Sequence, residues 1–279
     1  MLLSALGFAI MAAAVKWVNA RGIPVLEIVA ARAFISLVLS YLDVKRKRIS
    51  IWGQRKDLLI ARGIFGSLAL VCVYYAVTVL PLAEATILQY LHPMFTAVLA
   101  LIFLKERLHM ATIICILLSF IGLLFIARPD FLFAATSEPF PFIAICAAIA
   151  GAFGSAVAYV IIRKLSQTDD PSVIIFYFPL IALPFSLILL GSDFVWPKGW
   201  EWFALLMVGV FTQVGQIGLT KAMQTETAAR ATAFSYMQVI FSIVLGWLIF
   251  SEFPVFLTWI GGGFILLGAF INLLWKPAR

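Results

Sequence analysis

The stretch Tyr74–Leu108, YYAVTVLPLAEATILQYLHPMFTAVLALIFLKERL, returns in altered form as Thr220–Pro254, TKAMQTETAARATAFSYMQVIFSIVLGWLIFSEFP. Laid over each other, the two copies pair Ala76 with Ala222, Thr86 with Thr232, Tyr90 with Tyr236 and Glu106 with Glu252. The polar neighbours keep step: Gln89 falls on Ser235, His92 on Gln238 and Thr96 on Ser242. Thr86, Gln89, His92 and Thr96 stand at i, i+3, i+6 and i+10. At about 100° per residue this spacing gathers them into roughly a 120° sector of one helix. Each copy is read as an apolar helix with one polar stripe, and the two stripes as facing a shared wet space.

Composition sets the class. Hydrophobic residues make up 64% of the 279-residue chain and charged residues 12%, against about 25% charged in a soluble domain. With a mean hydropathy of +1.09, the chain reads as an all-α polytopic membrane protein whose main partner is the lipid bilayer. Ten spans are expected, at 2–19, 24–42, 57–79, 83–104, 110–127, 141–163, 171–190, 200–220, 227–250 and 255–275. Pro24, the run Lys45–Arg48, Pro81, Pro129, Pro171, Pro197 and Pro254 mark breaks between them. The longest break, near 128–141, divides the chain into two five-helix halves, residues 1–130 and 131–279. Met1 leads straight into an apolar span, so no cleavable signal peptide is expected.

The net charge of +7 is read as topology rather than as nucleic-acid binding. With the N-terminus inside, the inward connections and tail carry 13 Lys and Arg residues and the outward ones only Arg21, Arg128 and Lys198. That bias places both termini in the cytoplasm of a bacterial-type inner membrane. Five spans per half then orient the halves oppositely. This is an inverted repeat, with a substrate site near the midplane and alternating access as the mechanism.

The candidate substrate-binding residues follow from polarity at depth. The stripes supply Gln89, Tyr90, His92 and Thr96 from one half, and Ser235, Tyr236 and Gln238 from the other. The eighth span adds Gln213, Gln216 and Thr220, and the repeat partners of Gln213 and Thr220 are Ser67 and Tyr74. Amides are costly in hydrocarbon, so this row faces protein or water; interhelical hydrogen bonding and a cavity wall are both open to it. Tyr159 sits beyond the small-residue face of Gly151, Gly154 and Ser155. Arg32 lies about 12 Å into a core about 30 Å thick, where a guanidinium needs a partner. Lys16 is a possible additional charge, whereas Arg62 is read as snorkelling to an interface. His92 precedes Pro93, which frees a backbone acceptor one turn earlier and kinks the helix. It fits a satisfied core histidine as well as a proton-coupling group.

An enzyme is not expected, because the sequence contains no metalloprotease, Walker or nucleophile-elbow pattern. Cys72, Cys115 and Cys146 are scattered in apolar runs, and there are two histidines, so no metal or other cofactor is expected. Excess positive charge at Lys16, Arg32, Arg62 and Arg230 favours a small organic metabolite bearing a carboxylate or phosphate. An exporter of amino acids or other zwitterions is the alternative, and a membrane-embedded enzyme or receptor a remote one. Oligomeric state is left open.

The segment LPLAEATILQYLHPMFTAVLALIFLKERL, with Pro93 and Glu106, followed by Gly122 in FIGLLFIARP, resembles the drug/metabolite transporter superfamily, EamA-like branch. ARGIFGSLAL, from Ala61, is similar to the sub-branch of organic-anion and S-adenosylmethionine-type carriers. The resemblance spans nearly the whole chain and implies a ten-helix secondary transporter, often with arginine at the position of Arg32. The second copy departs from the pattern, with Val239 in place of Pro93 and Ser251 in place of Lys105.

Overall fold

The computed structural model describes residues 1–80, 82–127, 141–191, 193–251, 253–254 and 256–275, without the side chains at 74, 78 and 82–84. Tyr74 as a side chain, Glu252 and most of the connector between the halves lie outside the described residues. Among those described there are helices and turns and no strand. The helices are α1 (Leu2–Asn19), α2 (Val25–Lys47), α3 (Lys56–Val79), α4 (Leu82–Gln89), α5 (His92–Phe103), α6 (Met110–Ala127) and α7 (Phe142–Leu165). They continue with α8 (Pro171–Leu190), α9 (Trp200–Thr225), α10 (Ala228–Ala233), α11 (Met237–Phe250) and α12 (Phe256–Leu274). They form ten segments long and apolar enough to cross a membrane. Helices suit that solvent because each satisfies its own backbone groups.

The spans fall where the sequence puts them, with two kinds of difference. First, α2 and α9 run about a turn past their expected ends. No proline or glycine interrupts Lys45–Lys47, and α2 stops only where Arg48 takes a left-handed conformation, φ 54°. Second, the spans expected as continuous at 83–104 and 227–250 are both broken near mid-length. Tyr90 and Leu91 form a turn between α4 and α5, with Pro93 in the first turn of α5. In the second copy Phe234–Tyr236 tightens into a 3-10 turn between α10 and α11. Pro93 accounts for the sharper break, since it offers no N–H to Gln89 and its ring crowds that carbonyl. Val239, which has its N–H, leaves the second copy tightened rather than parted.

Packing pairs one half against the other. The most extensive contacts run α1 to α9, α2 to α8, α3 to α7 and α6 to α12. Lesser contacts join α2 to α9 and α3 to α8, and again α5 to α7 and α1 to α11. Glycines set the closest approaches. A Cβ built at Gly122 would collide with the carbonyl oxygen of Gly261, and one at Gly261 with that of Gly122. Two turns away along the same seam, a Cβ at Gly268 would sit 3.0 Å from the carbonyl of Cys115. The register that lays Tyr90 on Tyr236 also lays Gly122 on Gly268 and Cys115 on Gly261, so the two contacts are images of each other. Gly215 against Phe8 and Gly154 against Ala69 form a second such pair.

The two ends of the bundle differ. At one, Arg163 Nε donates to Glu106 Oε1 at 2.7 Å, and the Ala228 N–H donates to Glu106 Oε2 at 2.8 Å. Lys47 bridges to Asp170 at 2.9 Å, and the Gln54 N–H donates to Asp169 at 2.5 Å. Burial raises the Asp170 pKa, but the hydrogen bonds from Lys47 and Ser172 outweigh that and leave it below the ordinary aspartate value. At the other end Phe194, Trp196, Trp202, Trp200 and Phe203 meet edge to face. Trp196 and Trp200 are 68% and 74% exposed, as an interfacial aromatic belt requires.

Candidate substrate site at the helix breaks

The two breaks meet. Tyr90 and Tyr236, matched positions of the two copies, stack with ring centroids 5.5 Å apart, and the Tyr236 hydroxyl donates to the Tyr90 carbonyl at 2.8 Å. Opening the helix at Tyr90 exposes that carbonyl, and the tyrosine of the opposite copy satisfies it. His92 completes the repair. The carbonyl of Gln89 has lost its normal partner to Pro93, and His92 Nδ1 lies 3.0 Å from it. A carbonyl can only accept, so Nδ1 carries the proton and Nε2 is left as an acceptor. Nε2 faces the Ser235 hydroxyl at 3.4 Å. Thr96 donates its hydroxyl to the His92 carbonyl at 2.7 Å.

Tyr159 of α7 joins the group, its ring 5.3 Å from that of His92, while Tyr90 is 5.8 Å from the histidine on another side. Tyr90, His92, Tyr159, Ser235 and Tyr236 thus form one cluster drawn from both halves, with Thr96 attached through a backbone bond. Tyr236, His92 and Ser235 are buried, while Tyr90, Tyr159, Gln89 and Gln238 keep partial exposure. The side chains can offer hydroxyls, one imidazole acceptor and flat aromatic faces, a set suited to holding a small polar organic molecule.

Other expected site residues are placed elsewhere. Gln213 is buried, and its amide is taken up by α2: Ser36 donates to Oε1 at 2.6 Å and Nε2 donates to Ser40 at 2.9 Å. Thr220 donates to the Gln216 carbonyl within its own helix at 2.9 Å, and Gln216 is half-buried. Arg32 is half-buried, with Nη1 3.9 Å from the Met11 sulfur. Lys16 lies over the Phe250 ring, 4.7 Å from its centroid. Arg62 does not snorkel: it is 4% exposed, and its guanidinium sits 4.7 Å above the Phe178 ring of α8. The snorkelling expectation did not allow that α8 packs over this part of α3. Gly66, one turn on, was the available signal, because a Cβ there would strike both Arg62 and Phe178.

Ten helices long and apolar enough to cross a membrane, two of them broken around a polar cluster, define an integral multi-pass membrane protein. The EamA-like transporter family model matches residues 1–128 and 142–274, and the chain belongs to that family. It is 35% identical over 272 residues to the pseudopaline exporter CntI of Pseudomonas aeruginosa, covering 97% of this chain and 93% of the relative. Solute carrier family 35 member G1 of Mus musculus is 32% identical over 272 residues, covering 93% of this chain and 73% of the relative. A solved crystal structure superposes with a TM-score of 0.79 at 20% identity, covering 98% of this chain and 96% of that one, a likeness of fold. The protein is therefore a membrane transporter.

Proposed function

We propose that the protein is a secondary transporter that moves a small anionic metabolite by alternating access between two inverted halves, residues 1–130 and 131–279. Both termini face the cytoplasm of the inner membrane, and the substrate binds at the facing helix breaks. The observation that carries this reading is the stack of Tyr90 on Tyr236. Matched residues from two copies can touch only near an axis that relates them, and both copies lose helical regularity there. Discontinuous helices at such an axis are where transporters of repeated architecture bind their cargo. The exchange-related helix contacts and the Gly122–Gly261 and Cys115–Gly268 pair support the same relation. So does the interval between the two matched family segments, which falls where the sequence divides. An odd number of spans in each half makes the relation an inversion.

The site combines Tyr90, His92, Tyr159, Ser235 and Tyr236 with the half-buried amides Gln89 and Gln238. A relative named an exporter supports outward movement. The polar network joining Glu106, Arg163 and Ala228 closes the proposed cytoplasmic end, while part-exposed amides in otherwise apolar helices are the trace of a wet interior.

Gln89→Leu and Gln238→Leu test the site. Each variant is expected to lower counterflow in proteoliposomes about tenfold, as loss of a polar contact to substrate does, with folded yield reduced much less. The substrate pool for the assay is a screen of carboxylates, amino acids and phosphorylated metabolites. Normal counterflow in both variants at equal protein would make the stripes interhelical hydrogen-bonding surfaces only.

A further inference from the structure

Among the described residues three acidic or basic side chains other than histidine are buried: Glu27, Asp169 and Arg62. Glu27 accepts the Val195 N–H at 2.9 Å, and Asp169 accepts the Gln54 N–H, so each ties a loop to an end of the bundle. Arg62 does neither. It stands about 9 Å beyond the start of α3, and its Nε has no hydrogen-bond partner among the described residues. It forms no ion pair among them either. A buried cation in that condition is expensive, and bound anionic oxygen relieves it.

Phe178 occupies a face of the guanidinium, and Gly66 gives Nη1 its passage by lacking a side chain. Stacking satisfies the face of the group but none of its N–H bonds, which point outward in its plane. Gly151 lies against Val73 and Gly154 against Ala69, which fixes an antiparallel register of α7 on α3. That register puts Tyr159 opposite residues 64–65 of α3, between Arg62 and Gly66, the glycine that Arg62 Nη1 approaches. Tyr159 in turn packs on His92. Two aromatic side chains, Tyr159 and His92, therefore lead from the depth of Arg62 to the stack of Tyr90 and Tyr236.

We propose that Arg62 is the anion anchor of the transport site. Its Nε and adjacent Nη take a carboxylate or phosphate of the transported metabolite in a side-on bidentate pair, and Tyr159 donates its hydroxyl to the same group. This assignment rests on the reading of the helix breaks as the transport site. A fork of two parallel N–H groups suits a planar or tetrahedral oxyanion, whereas a lysine ammonium keeps the charge and loses the geometry.

The test uses the full-length protein in nanodiscs, with tryptophan fluorescence and thermal shift as readouts. The probes are succinate, its neutral amide succinamide, and inorganic phosphate, the last separating phosphate from carboxylate recognition. Wild-type protein is expected to bind at least one oxyanion in preference to succinamide. Arg62→Lys should weaken that binding about tenfold while the melting temperature without probe changes little. Arg46→Lys, on an exposed surface, serves as the control. Arg62→Gln extends the series; should it reduce the yield of folded protein, Arg62→Lys carries the comparison by itself. Equal binding by Arg62→Lys and wild type, no oxyanion preference in wild type, or a loss at Arg32→Lys that Arg62→Lys does not share would each overturn the assignment. If wild-type proteoliposomes counterflow a neutral metabolite normally while no oxyanion binds, Arg62 is removed from the site and the transporter reading stands. If they move nothing in the screen, that reading fails and the anchor fails with it.

Discussion

Gly261→Leu is expected to abolish recovery of folded protein. The seam between α6 and α12 brings backbone to backbone at Gly122 and Gly261, where a Cβ on either meets the other's carbonyl oxygen. Close backbone approach is how apolar helices associate in a bilayer, where burying hydrocarbon offers little driving force and packing contacts must supply it. Leucine would force the helices apart along the whole seam. The loss includes the 3.1 Å hydrogen bond between Thr112 and Asn272 and the stack of Phe125 on Phe264. Overpacking at an ordinary core site costs about 1–3 kcal/mol, and a backbone collision has no side chain that can yield, so the cost here is at or above the upper figure. Detergent-solubilised yield and a thermal melt check it. Gly263, with nothing within 4 Å of a built Cβ, is the matched control, and Gly263→Leu should leave both unchanged. Wild-type yield from Gly261→Leu would show that the seam is looser than described.

The second large effect is expected at Glu106 and Arg163. Glu106 holds Arg163 and the first N–H of α10, and Arg163 Nη1 also donates to the Met223 carbonyl at 2.5 Å. One carboxylate thereby joins the ends of α5, α7, α9 and α10. The side chains are 12% and 20% exposed, so screening by water is modest and removing one partner strands the other. Glu106→Gln or Arg163→Met is expected to destabilise this closed end by about 2–3 kcal/mol, with a coupling of about 1–3 kcal/mol in the double-mutant cycle. Under the proposed alternating-access mechanism, a change of that size moves the balance between the two states by a factor of ten or more. Faster labelling of a cysteine placed at Ala228 should accompany each variant. A coupling near zero, with labelling unchanged, would reduce the bridge to a surface ion pair.

Much of this architecture is legible in the sequence because the bilayer allows so few solutions. A stretch of about 20 apolar residues has to be a helix, and prolines and basic clusters mark where each one ends. The partnership of Tyr90 with Tyr236 is legible too, since two copies that carry the same residue at the same depth point to one axis. The break in the first copy follows from Pro93. The matching break at Phe234–Tyr236 does not, because no residue there forbids a helix. Gln213 could not be assigned from its own helix. What decides its role is a pair of serines one turn apart on α2, Ser36 and Ser40, and only the tertiary fold puts them alongside. Arg62 escaped for a similar reason: a helix face looks free until the neighbour that covers it is known. Gly66 beside it marks a face that a neighbour approaches closely rather than one left to lipid.

Two inverted halves about a shared site require particular connections to face opposite sides of the membrane. In a background without Cys72, Cys115 and Cys146, single cysteines at Ser50, Glu138 and Ser251 are probed in intact cells with a membrane-impermeant maleimide. Ser50 and Ser251 are both exposed, so each should react where the reagent can reach it. Ser50 is expected to be protected until the membrane is opened, while Glu138 and Ser251 react from outside. Labelling of Ser50 and Ser251 both from outside, or protection of both, would put the two connections on the same face and contradict the inversion.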